Sequence, residues 1–105
     1  MRRIIDGKRY DTSTATEICD CSPRGFYRND FRFEDTQLYR TPRGSWFLAG
    51  EGGPMSRWAR PVGLSGHTNG CGIQPLDADE ARSMLERYGS AEDVEKYFGS
   101  QIVDA

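Results

Sequence analysis

Apolar positions are densest between Thr36 and Gly53, where they alternate on either side of a turn. Thr41-Pro42-Arg43-Gly44 carries a type I turn signal: Pro42 fixes φ at the second position, and Gly44 can take the left-handed conformation that follows. A hairpin closed there pairs Thr41 with Ser45, Arg40 with Trp46, Tyr39 with Phe47 and Leu38 with Leu48. Successive strand side chains point to opposite faces, so Leu38, Arg40, Trp46 and Leu48 share one face. Gln37, Tyr39, Phe47 and Ala49 share the other. Both faces carry large apolar groups and need cover.

The flanking patterns are weaker. Asp6-Gly7 between Ile4-Ile5 and Lys8-Arg9-Tyr10 signals a small hairpin closed by a type I′ turn. Asp11 or Thr12, with Thr14 and Glu17 at capping-box spacing, predicts a short helix running to Cys19. Ser22-Pro23-Arg24-Gly25 ends it, and Phe26 to Glu34 alternates loosely enough for a strand or an extended arm. Gly50-Glu51-Gly52-Gly53-Pro54 predicts a mobile or tightly turned connection, and Met55 to Arg60 a helical turn that docks Trp58. Pro61 to Gly72 reads as a glycine-rich loop, followed by a short edge strand, Gly72 to Leu76, that Pro75 terminates.

The last third gives the sharpest local signals. Asp77 and Glu80 form a capping box, and Ala81, Met84, Leu85 and Tyr88 fall on one stripe at i, i+3, i+4 and i+7. Gly89 fits a left-handed C-terminal position, and Ser90 restarts a second helix with Val94, Tyr97 and Phe98 inward. These elements define an α+β fold over residues 1–105: a small antiparallel sheet built on β-hairpins, with a C-terminal αα-hairpin packed on it. Helix 77–88 is expected below the sheet and the Trp58 segment above it. That segment is too narrow to cover a whole face, so the Arg40–Trp46 end is expected to stay partly exposed.

Composition narrows the function classes. The chain has 105 residues, 36% hydrophobic, with 12 Gly and 5 Pro, which suits one loop-rich domain. No apolar run reaches membrane-spanning length, and no signal peptide is visible after Met1, so a cytoplasmic protein is expected. The net charge of −2 conceals a basic first part, net +3 over residues 1–60, and an acidic remainder, net −5. Twelve of the 14 basic residues are arginine, which suits planar recognition of phosphate or carboxylate and equally reflects codon usage. The second helix carries Glu92, Asp93 and Glu95 against Lys96 alone, so it does not read as a DNA-recognition helix.

Three cysteines argue against a disulfide framework. Cys19, Cys21, His67 and Cys71 are the only thiols and imidazole, and together they would complete a tetrahedral zinc site, the one cofactor the sequence suggests. The Cys-x-Cys gap is tighter than usual for zinc, and coincidence explains the set as well. A Cys–His nucleophilic pair lacks a third group to orient the imidazole. Glu51, alone among glycines, reads as a carboxylate that accepts backbone N–H bonds and fixes its loop. No residue is assigned a catalytic role, and a non-enzyme is expected.

Ile4 to Thr12, Leu38-Tyr39-Arg40, Trp46-Phe47-Leu48, Gly50 to Arg57 and Ile73 to Leu76 ahead of two acidic helices resemble a group of small uncharacterised bacterial proteins. Such proteins are carried by phages, plasmids and other mobile elements. The resemblance covers about residues 4–60 and 73–99, brings no catalytic signature, and departs from the group at the Cys71 loop. It implies a context in which inhibitors of host defence, anti-CRISPR proteins among them, are common.

Two binding readings follow. In the first, the chain binds and inhibits a host protein inside the bacterial cell through Tyr39, Arg40, Arg43, Trp46 and Phe47, while the acidic helices meet a nucleic-acid-handling target. In the second, Arg24, Arg28, Arg32, Arg40, Arg43, Arg57 and Arg60 track phosphates while Tyr27, Phe31 or Trp46 stack on bases. The charge balance speaks against direct nucleic-acid binding and favours the first. A structural accessory of a virion or plasmid complex is the third option.

Overall fold

The computed structural model describes all residues 1–105. Its centre is a four-stranded antiparallel sheet in the order β3 (Thr16–Asp20), β4 (Glu34–Arg40), β5 (Trp46–Gly52), β8 (Gly70–Leu76). The β4–β5 register is the one the turn dictates, with Arg40 opposite Trp46, Tyr39 opposite Phe47 and Leu38 opposite Leu48. Thr41 N–H donates to the Ser45 carbonyl at 2.8 Å, and Gly44 sits at φ 89°. Two separate ribbons flank the sheet: β1 (Arg2–Ile5) with β2 (Lys8–Asp11), and β6 (Arg60–Val62) with β7 (Gly66–Thr68). The first turns through Asp6 at φ 51° and Gly7 at φ 76°, as a type I′ hairpin requires.

Two helices complete the α+β architecture, α1 (Ala78–Tyr88) and α2 (Ala91–Phe98). Both halves of the Asp77–Glu80 capping box form, and Ser90 caps α2 by accepting from Asp93 N–H. Gly89 is not left-handed; its φ is −89° and its N–H donates to the Leu85 carbonyl at 2.8 Å. The next cap follows at once, and an extended Gly89 leads straight into it.

Four further expectations are corrected. The segment after Asp11 makes one tight turn, in which the Asp11 carboxylate accepts from Ser13 N–H at 2.9 Å and from its hydroxyl at 2.7 Å. It then extends as β3 instead of forming a helix. Thr16 and Ile18 are β-branched, and the unpaired edge of β4 offers a ladder that four residues of weak helix propensity cannot match. Phe26 to Phe33 is an arm of turns, not a strand, with Asp30 N–H on the Tyr27 carbonyl and Phe33 N–H on that of Asp30. The stretch expected as glycine-rich loop folds into the β6–β7 ribbon and the start of β8, while Met55 to Ala59 forms successive turns with no helix.

The sheet is covered on both faces. Leu38, Trp46, Leu48 and Trp58 pack with Ala81, Leu85 and Phe98 on one side. Tyr10 of the β1–β2 ribbon packs with Phe47, Ala49 and Ile73 on the other. Trp58 therefore lies on the helix side of the sheet, not opposite it. Its indole occupies space that two glycines leave open: a Cβ on Gly50 would come 2.9 Å from Trp58 Nε1, and one on Gly72 would come 3.2 Å from the ring. No helix is long and apolar enough to cross a membrane.

Candidate functional site

Two of the five anchors expected on the hairpin are core. Trp46 is 5% exposed, stacked on Phe98 at 5.4 Å between ring centroids and met edge-on by Tyr97 at 5.3 Å. Phe47 is fully buried, with Tyr39 stacked on it at 5.1 Å and Tyr10 edge-on at 5.5 Å. The expectation of an exposed Arg40–Trp46 end thus fails, because α2 returns across that end and closes it. Tyr39 is half-buried, and desolvation pushes its phenol up from the ordinary value. The Arg40 guanidinium does lie against the indole, 5.2 Å from the Trp46 ring and 5.2 Å from that of Tyr97, with Nε buried and unpartnered. Arg43 alone of the five is exposed, at the turn.

The four candidate zinc ligands are not brought together. Cys19 lies on β3 and Cys71 on β8, opposite edges of a four-stranded sheet. Three strand spacings separate them by about 14 Å. His67 is exposed on β7, and no three His, Cys, Asp or Glu side chains cluster as metal ligands. Cys19 and Cys21 do meet, Sγ to Sγ at 3.5 Å. The thiol contact lowers the Cys19 pKa, and the same contact together with burial raises that of Cys21.

Glu51 does not fix its loop; it is exposed and reaches only Arg28, at 3.9 Å. Glu34 takes the anchoring role, which its sequence context gives no hint of. Its carboxylate is 5% exposed, accepts from the Thr36 hydroxyl at 2.6 Å, and pairs with Arg57 Nε at 3.1 Å. Thr36 Oγ1 in turn accepts from Trp58 Nε1 at 2.8 Å. A buried carboxylate needs such partners, and this chain of bonds ties the 53–58 turn to β4.

The exposed aromatic surface lies at the open end of the β4–β5 hairpin. Tyr27 is 83% exposed, Phe31 66% and Met55 67%. Met55 N–H donates to the Phe31 carbonyl at 2.8 Å, which sets those two side chains on adjoining backbones. The arm is firmly built. The Asp30 carboxylate accepts from Arg32 N–H at 2.7 Å and from its guanidinium at 2.9 and 3.0 Å, which holds the Asp30 pKa at about 2. Arg32 then caps the Phe26 ring at 4.5 Å, and Arg28 lies 5.2 Å from the Phe33 ring. Between the arm and Gly52–Pro54 runs a polar cleft of about 390 Å³ lined by Arg28, Asp30, Glu51 and Asn69. Tyr27 and Phe31 were visible in the sequence as stacking candidates; Met55 was not, since only the backbone pairing of two loops brings it alongside.

No family model matches this chain, and no curated protein or solved structure is significantly similar to it.

Proposed function

We propose that the chain acts by binding: it docks on a host protein inside the bacterial cell and inhibits it, as a mobile-element accessory protein of anti-CRISPR type. The observation that carries this reading is the Tyr27–Phe31–Met55 surface, three large side chains held in solvent by a braced arm. Exposed Tyr and Phe on a preorganised loop supply contact area at low entropic cost, the property of interface anchors. The site thus moves from the hairpin turn to the other end of the same hairpin. The outward carboxylates of the helices, Glu86, Glu92 and Glu95, suit a basic, nucleic-acid-handling partner.

Direct nucleic-acid binding is the weaker reading for a specific reason. Two of the arm's neighbouring arginines are already closely paired: Arg32 with Asp30 at 2.9 Å and Arg57 with Glu34 at 3.1 Å. Each would have to leave a carboxylate to neutralise a phosphate.

The test compares wild type with Tyr27→Ala/Phe31→Ala in capture from host extract and in titration of the recovered partner. Affinity should fall by at least about 2 kcal/mol, as at interface hot spots, with thermal stability unchanged. A double variant that captures the same partner equally well would sink the arm as the docking surface. Sub-micromolar binding of an oligonucleotide at about 150 mM salt would promote the alternative.

A further inference from the structure

At the closed end of the β4–β5 hairpin, its turn and the turn of the β1–β2 ribbon enclose a cleft of about 530 Å³. Lys8, Arg9 and Arg43 line it, together with Tyr10, Thr41 and Ser45. No acidic residue lines it, and none of the three cations is engaged in a salt bridge. The nearest acids in sequence are occupied or turned elsewhere: Asp11 binds Ser13, and Asp6 occupies the left-handed turn position without lining the cleft. Lys8 and Arg43 are thus unpaired cations at one hollow, whereas Arg9, next to Lys8 on β2 and opposite the exposed Ile4, presents its side chain to the other face of the ribbon.

Tyr10 supplies the second observation. Its residue is 7% exposed and its ring is fixed edge-on against Phe47. Its hydroxyl makes no hydrogen bond within the chain, yet it is not a buried orphan, because Arg40 Nε is the only such side-chain atom. The phenol oxygen is therefore reached by solvent, and Tyr10 is one of the residues that line the cleft. A buried tyrosine ordinarily finds a partner for that group. Thr41 adds to the donor set: its oxygen accepts from Ser45 N–H at 3.0 Å, which leaves its own proton free to donate.

We propose that this cleft binds a phosphate-bearing small molecule of nucleotide size. A guanidinium fork and an ammonium, with neutral hydroxyl donors between them, match the charge and the several acceptor oxygens of a phosphate ester. The volume lies in the range of small-molecule sites and exceeds what inorganic phosphate alone would fill. The site is independent of the arm. The two lie at opposite ends of seven-residue strands, about 20 Å apart.

Amide chemical shifts recorded during titration with adenosine 5′-diphosphate, inorganic phosphate and sodium chloride test the proposal. Saturable shifts at Lys8, Tyr10, Thr41, Arg43 and Ser45 are expected with both phosphate probes, the diphosphate binding at least 10-fold tighter and chloride producing none. Lys8→Ala/Arg43→Ala, two exposed positions, should weaken the diphosphate at least 10-fold. Tyr10→Phe should weaken it several-fold with the melting temperature unchanged. Shifts that grow linearly with any added salt, or a Lys8→Ala/Arg43→Ala protein that binds as wild type, would overturn the site. So would a single-stranded oligonucleotide that binds there while the diphosphate does not, since that outcome assigns the cations to a polymer backbone.

Discussion

On one face of the sheet, two helices and the Trp58 turn enclose Leu38, Trp46 and Leu48; on the other, a lone two-stranded ribbon lays Tyr10 across Phe47, Ala49 and Ile73. The helix cover has its own local supports, a full capping box at Asp77 and a serine cap at Ser90. The ribbon has its turn and, at its open end, a clasp in which Thr12 N–H donates to the Met1 carbonyl at 3.0 Å and the Met1 ammonium to Thr12 Oγ1 at 2.9 Å. A two-stranded ribbon by itself is marginal in water, so β1–β2 borrows its order from the face it covers. The two covers therefore differ in what their loss does: removal of the first dismantles the fold, whereas removal of the second strips a face and leaves the rest standing.

The largest effect tests the first half of that contrast. Trp46→Ala empties the contact between β5 and α2, and stability should fall by about 3–5 kcal/mol in chemical denaturation. A loss below about 1 kcal/mol would show that the helices hold to the sheet by other means. Tyr10→Ala tests the second half. The cost is capped by the ribbon's docking energy, because the ribbon can leave before the sheet unfolds, and should be about 1–2 kcal/mol. Amide exchange should lose protection over Arg2–Asp11 while β4 and β5 keep theirs. Equal loss in all four strands would merge the two covers into one cooperative unit.

The smallest effect concerns the arm, which belongs to neither cover. The Arg32 hydrogen bonds hold the Asp30 carboxyl at about 2, against an ordinary 3.8. The folded-state value is depressed, so the contribution of this pair is complete above the ordinary value and is lost as pH falls from about 4 to about 2. Carboxyl-carbon titration should place the Asp30 midpoint there, and Arg32→Ala should return it to the ordinary carboxylate range. An unmoved midpoint would mean that the arm is braced by its aromatic contacts alone.

The sequence was most legible where the deciding forces are local. Turn chemistry and alternation around Thr41–Gly44 are contained within a dozen residues, and they specify the β4–β5 register residue by residue. The capping box of α1 is local in the same sense. The misreadings have distant causes. Asp11 to Cys19 carries real capping signals, and Asp11 does make the tight turn, but the free edge of β4, some 20 residues on, pulls Thr16–Asp20 into a strand. Trp46 appeared exposed because nothing near it shows that Phe98, 52 positions later, will stack on it. The basic cleft joins Lys8 to Arg43, and only the docking of one hairpin on another puts them side by side.

The seat of the Trp58 indole between Gly50 and Gly72 also constrains how this chain can drift over generations. While the tryptophan remains, a side chain at position 72 would crowd its ring, and position 50 is closed by the β4 backbone as well. A lineage that exchanged Trp58 for a smaller side chain would reopen position 72 and release Thr36 from its indole partner, while Gly50 would stay closed by the Asp35 carbonyl and the Thr36 backbone. Positions 36, 58 and 72 should then change together among descendants, although as many as 36 residues separate the first from the last, whereas position 50 should stay glycine throughout.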